Sequence, residues 1–357
     1  MSAGRTVALL TALLVAATAA RASGSTSGND ALPSSVPRPL HGVTTGGRTG
    51  LRLIVADNPP FLLDVDSDRI TPIRGLPSVG DPVLAVSPVG DNTLVWIDHP
   101  RRDTTPRGQF YVIRHNSTRA VSLTSGWQAA PSRNGRALWL VRYTGAHHCA
   151  LSELSLAGRT LRPAEPVACS TQLIDSGGGP ILVNGNTATD PATGKAILRG
   201  SALWALSDGY ALSSNTYHAP LTLTNLQTGS SRRLPWPSRI GGTDQAAVDP
   251  RTGLIALDFA DPAYGGSGTQ VTDMFLLDPR TGHFTHLPDM PAAVHLKATS
   301  MAWTNDGRLI TLAETGSETT PRILVAIWRQ GQERLHIRPV DVPTRTSGSD
   351  SFTIAST

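Results

Sequence analysis

The chain has 357 residues, with 31 Lys and Arg against 27 Asp and Glu, a formal net charge of +4 and 39% hydrophobic residues. This is enough apolar material for a large core and too much for a disordered chain. The positive charge is almost all arginine, Lys195 and Lys297 excepted, and it is scattered along the chain rather than clustered, which argues against a nucleic-acid-binding stripe.

At the start, Arg5 precedes an apolar and small-residue run from Val7 to Ala20, with Ala17-Thr18-Ala19 and Ala20-Arg21-Ala22 as cleavage points. That is the pattern of an export leader over residues 1–22. A membrane anchor is the alternative, but the run is shorter than the ~20 residues a spanning helix needs. Residues 23–40 read as a linker, so the expected product is a secreted monomer with no transmembrane segment.

No later segment keeps apolar residues at helical spacing for three turns, so helix is at most a minor element. Instead, two interleaved series of turns separate short apolar strands. The first runs Thr45-Gly46-Gly47, Pro88 to Asp91, Ser132 to Gly135, Ser176 to Gly179, Ser207 to Gly209, Asp249 to Gly253 and Asn305 to Gly307. The second falls between its members at Asp66 to Asp68, Asn116 to Thr118, Ala157-Gly158, Asp190 to Gly194, Gln227 to Gly229, Asp278 to Gly282 and Gln330 to Gln332. Gly, Asn and Asp collect at such tips because hairpin turns need residues tolerant of positive φ.

Two hairpins per period is the sequence form of a four-stranded propeller blade. The expected fold is therefore all-β, a β-propeller of four-stranded antiparallel blades over residues 41–343, with seven blades and a six-bladed ring as the alternative. A pair of β-sandwiches fits less well, because sandwiches lack the two-hairpin period. The fourth blade, about Thr171 to Arg199, is short and glycine-rich enough to be irregular. In the tail, residues 344–357, the segment Ser351 to Ala355 either closes the ring on the first blade or frays.

Cys149 and Cys169 are the only cysteines, and in an exported chain they point to one disulfide. If Cys149 opens the third strand of the third blade and Cys169 follows the fourth, both lie at one end of a single hairpin.

Ser87-Pro88-Val89-Gly90-Asp91, Asp190-Pro191-Ala192-Thr193-Gly194-Lys195, Asp278-Pro279-Arg280-Thr281-Gly282 and Asn305-Asp306-Gly307-Arg308 resemble the hairpin turns of bacterial WD40-like and TolB-like propellers. The resemblance covers most of the chain and bears on fold alone. The regular Gly-His and Trp-Asp signature of WD40 repeats is absent, and residues 23–44 leave no room for the amino-terminal α/β domain of TolB.

The resemblance implies that loops joining second to third strands, and consecutive blades, crowd around one mouth of the central channel. Candidate ligand residues there are His99, Trp127, His148, His218, Asp261 and Tyr264. His147 and His148 are adjacent, so on a strand they point to opposite faces and do not form one metal site. No metal or cofactor is expected, and no nucleophile elbow, zinc-binding helix motif or phosphate-cradling loop occurs. The Asp-Pro turns are explained by turn chemistry, and Asn116-Ser117-Thr118, a glycosylation pattern, coincides with a turn.

Two functions follow. The first is a non-catalytic extracytoplasmic scaffold that binds a protein or a cell-envelope glycan at the mouth. The second is a secreted lyase or hydrolase using His99, His148, His218 and Asp261.

Overall fold

The computed structural model describes residues 38–44, 46–57, 59–77, 84–98, 108–145, 148–185, 187–215, 220–261, 269–295, 300–317, 320–343 and 352–356. The leader assigned to residues 1–22 and most of the linker lie outside them. Among the described residues there is no helix. Every residue in regular structure belongs to one of seven sheets, each built on an antiparallel four-stranded meander.

Blade 1 contains Arg52–Val55, Phe61–Asp64 and Arg69–Pro72, and blade 2 Leu84–Val89, Asn92–Asp98, Gly108–Ile113 and Ala120–Gly126. Blade 3 is Gln128–Pro131, Ala137–Gly145, His148–Ser155 and Thr160–Val167, and blade 4 is Gln172–Asp175, Pro180–Asn184, Thr187–Thr189 and Ala196–Arg199. Blade 5 is Ala202–Ser207, Tyr210–Ser214, Thr222–Asn225 and Ser231–Arg233. Blade 6 is Gly242–Val248, Ile255–Asp261, Thr269–Asp278 and His283–His286, and blade 7 is Ser300–Trp303, Arg308–Ser317, Thr320–Arg329 and His336–Pro343. The first strand of blade 1 comes from the other end of the chain: Phe352–Ser356 pairs antiparallel with Arg52–Val55.

Strand alternation explains how the sheets become a ring. Successive side chains on a strand point to opposite faces, so each blade presents one apolar face to the blade before it and one to the blade after. Accordingly, the core of the described residues divides into seven clusters, one for each seam. Ile54, Leu62, Val95 and Ile113 join blades 1 and 2, and Leu94, Phe110, Leu138 and Leu140 join blades 2 and 3. The remaining clusters join blades 3 and 4, 4 and 5, 5 and 6, 6 and 7, and finally 7 and 1. Burying a side chain of this size is worth about 1.5–3 kcal/mol. The ring is a closed, seven-bladed β-propeller.

The Asp-Pro turns show why hairpins form where they do. The carboxylate of Asp249 accepts the Arg251 amide at 2.9 Å and the Thr252 hydroxyl at 2.6 Å, while the Gly253 amide returns to the Asp249 carbonyl at 2.9 Å. Asp190 and Asp278 accept the amides two residues on in the same way, at 2.8 and 2.9 Å. The aspartates are consumed in turn formation.

Three features differ from the sequence expectations or were not anticipated by them. Gly46 and Gly47 are not a hairpin tip; they lie between two short extended segments and the second strand of blade 1, because that blade takes its first strand from the tail. Blade 4 is a regular four-stranded sheet. The glycines of its first hairpin serve close packing: a Cβ on Gly177 would stand 2.5 Å from Val248 Cγ2 of blade 6. The third feature is a strap: Arg38–Pro39 runs parallel to an extra strand of blade 6, Ala292–His295, and Val43–Thr44 runs parallel to the outer strand of blade 7. Gly42 permits that crossing, for a Cβ there would meet the Leu335 carbonyl oxygen at 2.3 Å.

Candidate functional site

In a four-stranded meander the first-to-second and third-to-fourth hairpins fall at one end and the other connections at the opposite end. The propeller therefore has a hairpin face and a mouth face. Of the six candidate residues, His99, His218 and Tyr264 lie outside the described residues, as does His147. Trp127, His148 and Asp261 are placed.

Trp127 sits at the junction of blades 2 and 3, half-buried, its amide donating to the Val141 carbonyl at 2.8 Å. Its ring packs against Tyr143, with centroids 5.8 Å apart and planes tilted by 56°. Tyr143 pairs in register with Cys149, and Cys149 is bonded to Cys169 across a Cα separation of 5.1 Å. Cys149 lies in the third strand of blade 3 and Cys169 beyond the fourth, so the disulfide staples the mouth end of one hairpin. Burial raises the pKa of the Tyr143 phenol, which keeps it neutral and able to donate a hydrogen bond.

His148 opens the same strand, exposed, opposite Gly145 across a bulge. Trp127, Tyr143, His148 and the disulfide thus share one end of blade 3. Asp261 ends the second strand of blade 6, opposite Val271, so the structure places it three blades away from His148. Among the described residues no three His, Cys, Asp or Glu side chains gather as a metal site, and no helix among them is long and apolar enough to cross a membrane.

A second polar group, between blades 5 and 6, escaped sequence inspection. The buried Asp273 carboxylate accepts the Ser238 hydroxyl at 2.7 Å and meets His286 Nε2 at 2.6 Å, while the His286 ring stacks on Phe275 with centroids 4.6 Å apart. The residue types are those of a hydrolase triad, but the wiring is not. In a triad the histidine contacts the serine oxygen as a base, whereas here serine and histidine both bond to the aspartate. The group fastens the inter-blade linker to blade 6.

On the innermost strand of blade 4, Asp175 accepts the Gly177 amide at 3.0 Å. Its side chain remains reachable by water, yet the surrounding protein raises its pKa against the opposing effect of that amide. No local pattern marks Asp175 or Tyr143, because each acquires its surroundings only when the blades close.

Solved structures share the shape of this chain. A candidate 6-phosphogluconolactonase from Bacteroides uniformis superposes with a TM-score of 0.54 at 12% identity, over 85% of this chain and 99% of that one. Prolyl oligopeptidase B from Galerina marginata gives 0.52 at 10% identity, over 81% of this chain and 48% of that one. TolB from Acinetobacter baumannii gives 0.46 at 14% identity, over 84% and 66%. At these identities the likeness is one of fold. No protein-family model and no curated protein matches the sequence.

Proposed function

We propose that this propeller is an extracytoplasmic binding module that recognises a protein or a cell-envelope glycan at its mouth face, through the end of blade 3. The observation that carries this reading is the half-exposed Trp127, held against Tyr143 and backed by the Cys149–Cys169 disulfide. A rigid aromatic with polar neighbours offers contact area at little entropic cost, and the exposed His148 offers a donor or acceptor at the same end of blade 3. The leader over residues 1–22 and the disulfide together support export to an oxidising compartment. Kinship with the bacterial WD40-like and TolB-like propellers belongs to this proposal, supported by the turn motifs.

The test is a thermal-shift panel of cell-wall fragments, oligosaccharides and candidate proteins against the wild-type chain and Trp127→Ala. A ligand that binds only the folded chain stabilises it by about 2.7 kcal/mol at a hundredfold excess over its Kd. The proposal expects a shift that Trp127→Ala removes. A ligand that is turned over, with turnover lost in His148→Ala or Asp261→Asn and kept in Trp127→Ala, would replace the proposal with an enzyme.

A further inference from the structure

On the hairpin face, arginine clasps hold three outer hairpins. Arg162 of blade 3 donates to the Pro191 and Ala192 carbonyls of blade 4 at 3.1 and 2.7 Å. Arg232 of blade 5 donates to those of Pro279 and Thr281 in blade 6 at 3.1 and 2.6 Å, and Arg338 of blade 7 to that of Asp66 in blade 1 at 2.6 Å. The mouth-side turn of blade 4 is not tied in this way. It joins Pro180–Asn184 to Thr187–Thr189, with Asn184 opposite Thr187, and begins with Asn184-Gly185.

The chain holds two Asn-Gly pairs, and the fold treats them differently. At Asn134-Gly135, in the first hairpin of blade 3, the Asn134 carboxamide oxygen accepts the Ser132 hydroxyl at 2.8 Å and the Arg136 amide at 2.9 Å. The Gly135 amide donates to the Ser132 carbonyl at 2.8 Å. A Cβ on Gly135 would stand 2.6 Å from Gly90 Cα, so this turn is wedged against blade 2. Asn184, by contrast, is exposed, and neither its carboxamide nor the Gly185 amide makes a hydrogen bond among the described residues. A Cβ on Gly185 would meet nothing within 4 Å.

We propose that Asn184-Gly185 is a site of self-modification, at which the asparagine loses its carboxamide to attack by the next backbone nitrogen, while Asn134-Gly135 is protected. The Gly185 nitrogen gives its proton to a solvent base and bonds to Asn184 Cγ, closing a succinimide ring. The Cγ–Nδ2 bond breaks, and that nitrogen takes a proton from solvent and leaves as ammonia. Water then opens the ring, its hydroxyl going to one carbonyl carbon and its proton to the ring nitrogen. Opening at Cγ leaves an ordinary aspartate at position 184; opening at the backbone carbonyl leaves isoaspartate, with the main chain running through Cβ and Cγ. Glycine favours the first step because, lacking a Cβ, it lets the peptide swing toward the side chain. At Asn134-Gly135 the same swing must first break the bonds to Ser132 and Arg136.

Leu182, two residues before Asn184 on the same strand face, packs in the cluster that holds Trp127, Tyr143 and Cys149. The reaction therefore places a negative charge at the mouth end of the blade 4 face that packs against blade 3. Its isoaspartate branch also lengthens the chain inside a tight turn that sets strand register. The reaction does not depend on the proposed function of the mouth; only its effect on a ligand of Trp127 rests on that reading.

The experiment incubates the full folded chain in mildly alkaline water enriched in heavy oxygen and follows both Asn-Gly peptides by proteolysis and mass spectrometry, with the guanidinium-unfolded chain as reference. Label and isoaspartate are expected in the Asn184 peptide of the folded chain. The Asn134 peptide should react about tenfold or more slowly, because its hydrogen bonds must open first. In the unfolded chain the two should react at similar rates. Asn184→Gln should carry no label at that position, and Ser132→Ala should speed the reaction at Asn134. Equal rates at the two sites of the folded chain, a faster reaction at Asn134, or label at position 184 only after unfolding overturns the proposal. A ligand of Trp127 that binds fresh and aged chains alike removes the effect on recognition and leaves the reaction standing.

Discussion

The hydroxyls of Thr93 and Thr353 share a hydrogen bond of 2.7 Å, buried, across 260 residues of sequence. The bond joins the second strand of blade 2 to the tail strand that completes blade 1. Thr353→Val leaves the Thr93 hydroxyl without its partner, and a buried unsatisfied group costs about 1–3 kcal/mol. The double variant Thr93→Val with Thr353→Val should cost less than the sum of the singles, because it removes both polar atoms together. Urea unfolding of the four proteins measures the coupling; strict additivity would show the bond contributes nothing.

Reducing Cys149–Cys169 releases a loop with a sequence separation of 20, for which loop-closure entropy predicts a loss of about 3 kcal/mol. The Cys149→Ala, Cys169→Ala variant should unfold at lower urea and, since Cys149 packs beneath Tyr143, should lose affinity for any ligand of Trp127. Fluorescence of Trp127 in the oxidised and reduced chain reports whether that end of blade 3 loosens.

Arg162 donates to two carbonyls of blade 4 and lies over the Trp139 ring at 5.3 Å. Arg162→Ala should destabilise the chain by about 1.5–3 kcal/mol, the range for hydrogen bonds to a charged group. Arg162→Lys should recover only part, because an ammonium cannot reproduce the planar fork. Hydrogen exchange should speed first at the hairpin Asp190 to Gly194, and unchanged exchange there would remove the clasp from the account of stability.

Asp289 shows how the sign of a pKa shift sets the response to acid. Burial alone would raise its pKa, but Arg334, the Leu335 amide and the charge of His41 outweigh it and hold the carboxyl below its ordinary value. Asp66 and Asp306 are lowered likewise, Asp66 despite burial by the amides of Thr49 and Gly50. A carboxyl with a depressed folded pKa contributes stability that is complete above its unfolded pKa, about 3.9, and lost as pH falls through the folded value. The stability difference between wild type and Asp289→Asn should therefore be level from pH 7 to about pH 5 and shrink below about pH 4.

Asp175 runs in the opposite direction. Its pKa is raised by enclosure, so its ionised form disfavours the folded state at neutral pH. Asp175→Asn should raise the midpoint of unfolding at pH 7, with the gain fading as pH falls through the raised folded pKa and gone by the unfolded value of about 3.9. A loss of stability at pH 7 would show that the Gly177 amide outweighs the enclosure.

Hairpin tips were legible in the sequence because turn chemistry is local. The wiring around Asp190, Asp249 and Asp278 needs only residues within four positions, and it marked hairpins at every blade where both strands of the pair are consecutive. It misled at Thr45 to Gly47, where the first strand of blade 1 arrives from Phe352–Ser356. The arginine clasps were not legible: Arg162 and Arg232 differ from other scattered arginines only through the hairpin of the next blade. The mouth was legible in part, since Trp127 marks a junction by position, whereas its contact with Tyr143 depends on the register that sets Gln128 opposite Val141.

The tail strand also sets an order of events. Arg52–Val55 is among the first strands to be made, and its inner partner, Phe352–Ser356, among the last. During synthesis, blades 2 to 7 can each complete a meander from consecutive segments, while blade 1 waits with three strands and one unpaired ladder. Closure is then a contact of very high sequence separation, the kind that slows folding, and until it forms the apolar faces toward blades 7 and 2 stay open. The nascent ring carries its most aggregation-prone edge for the longest time, so a cell that makes this protein must shield one unfinished blade until the final residues arrive.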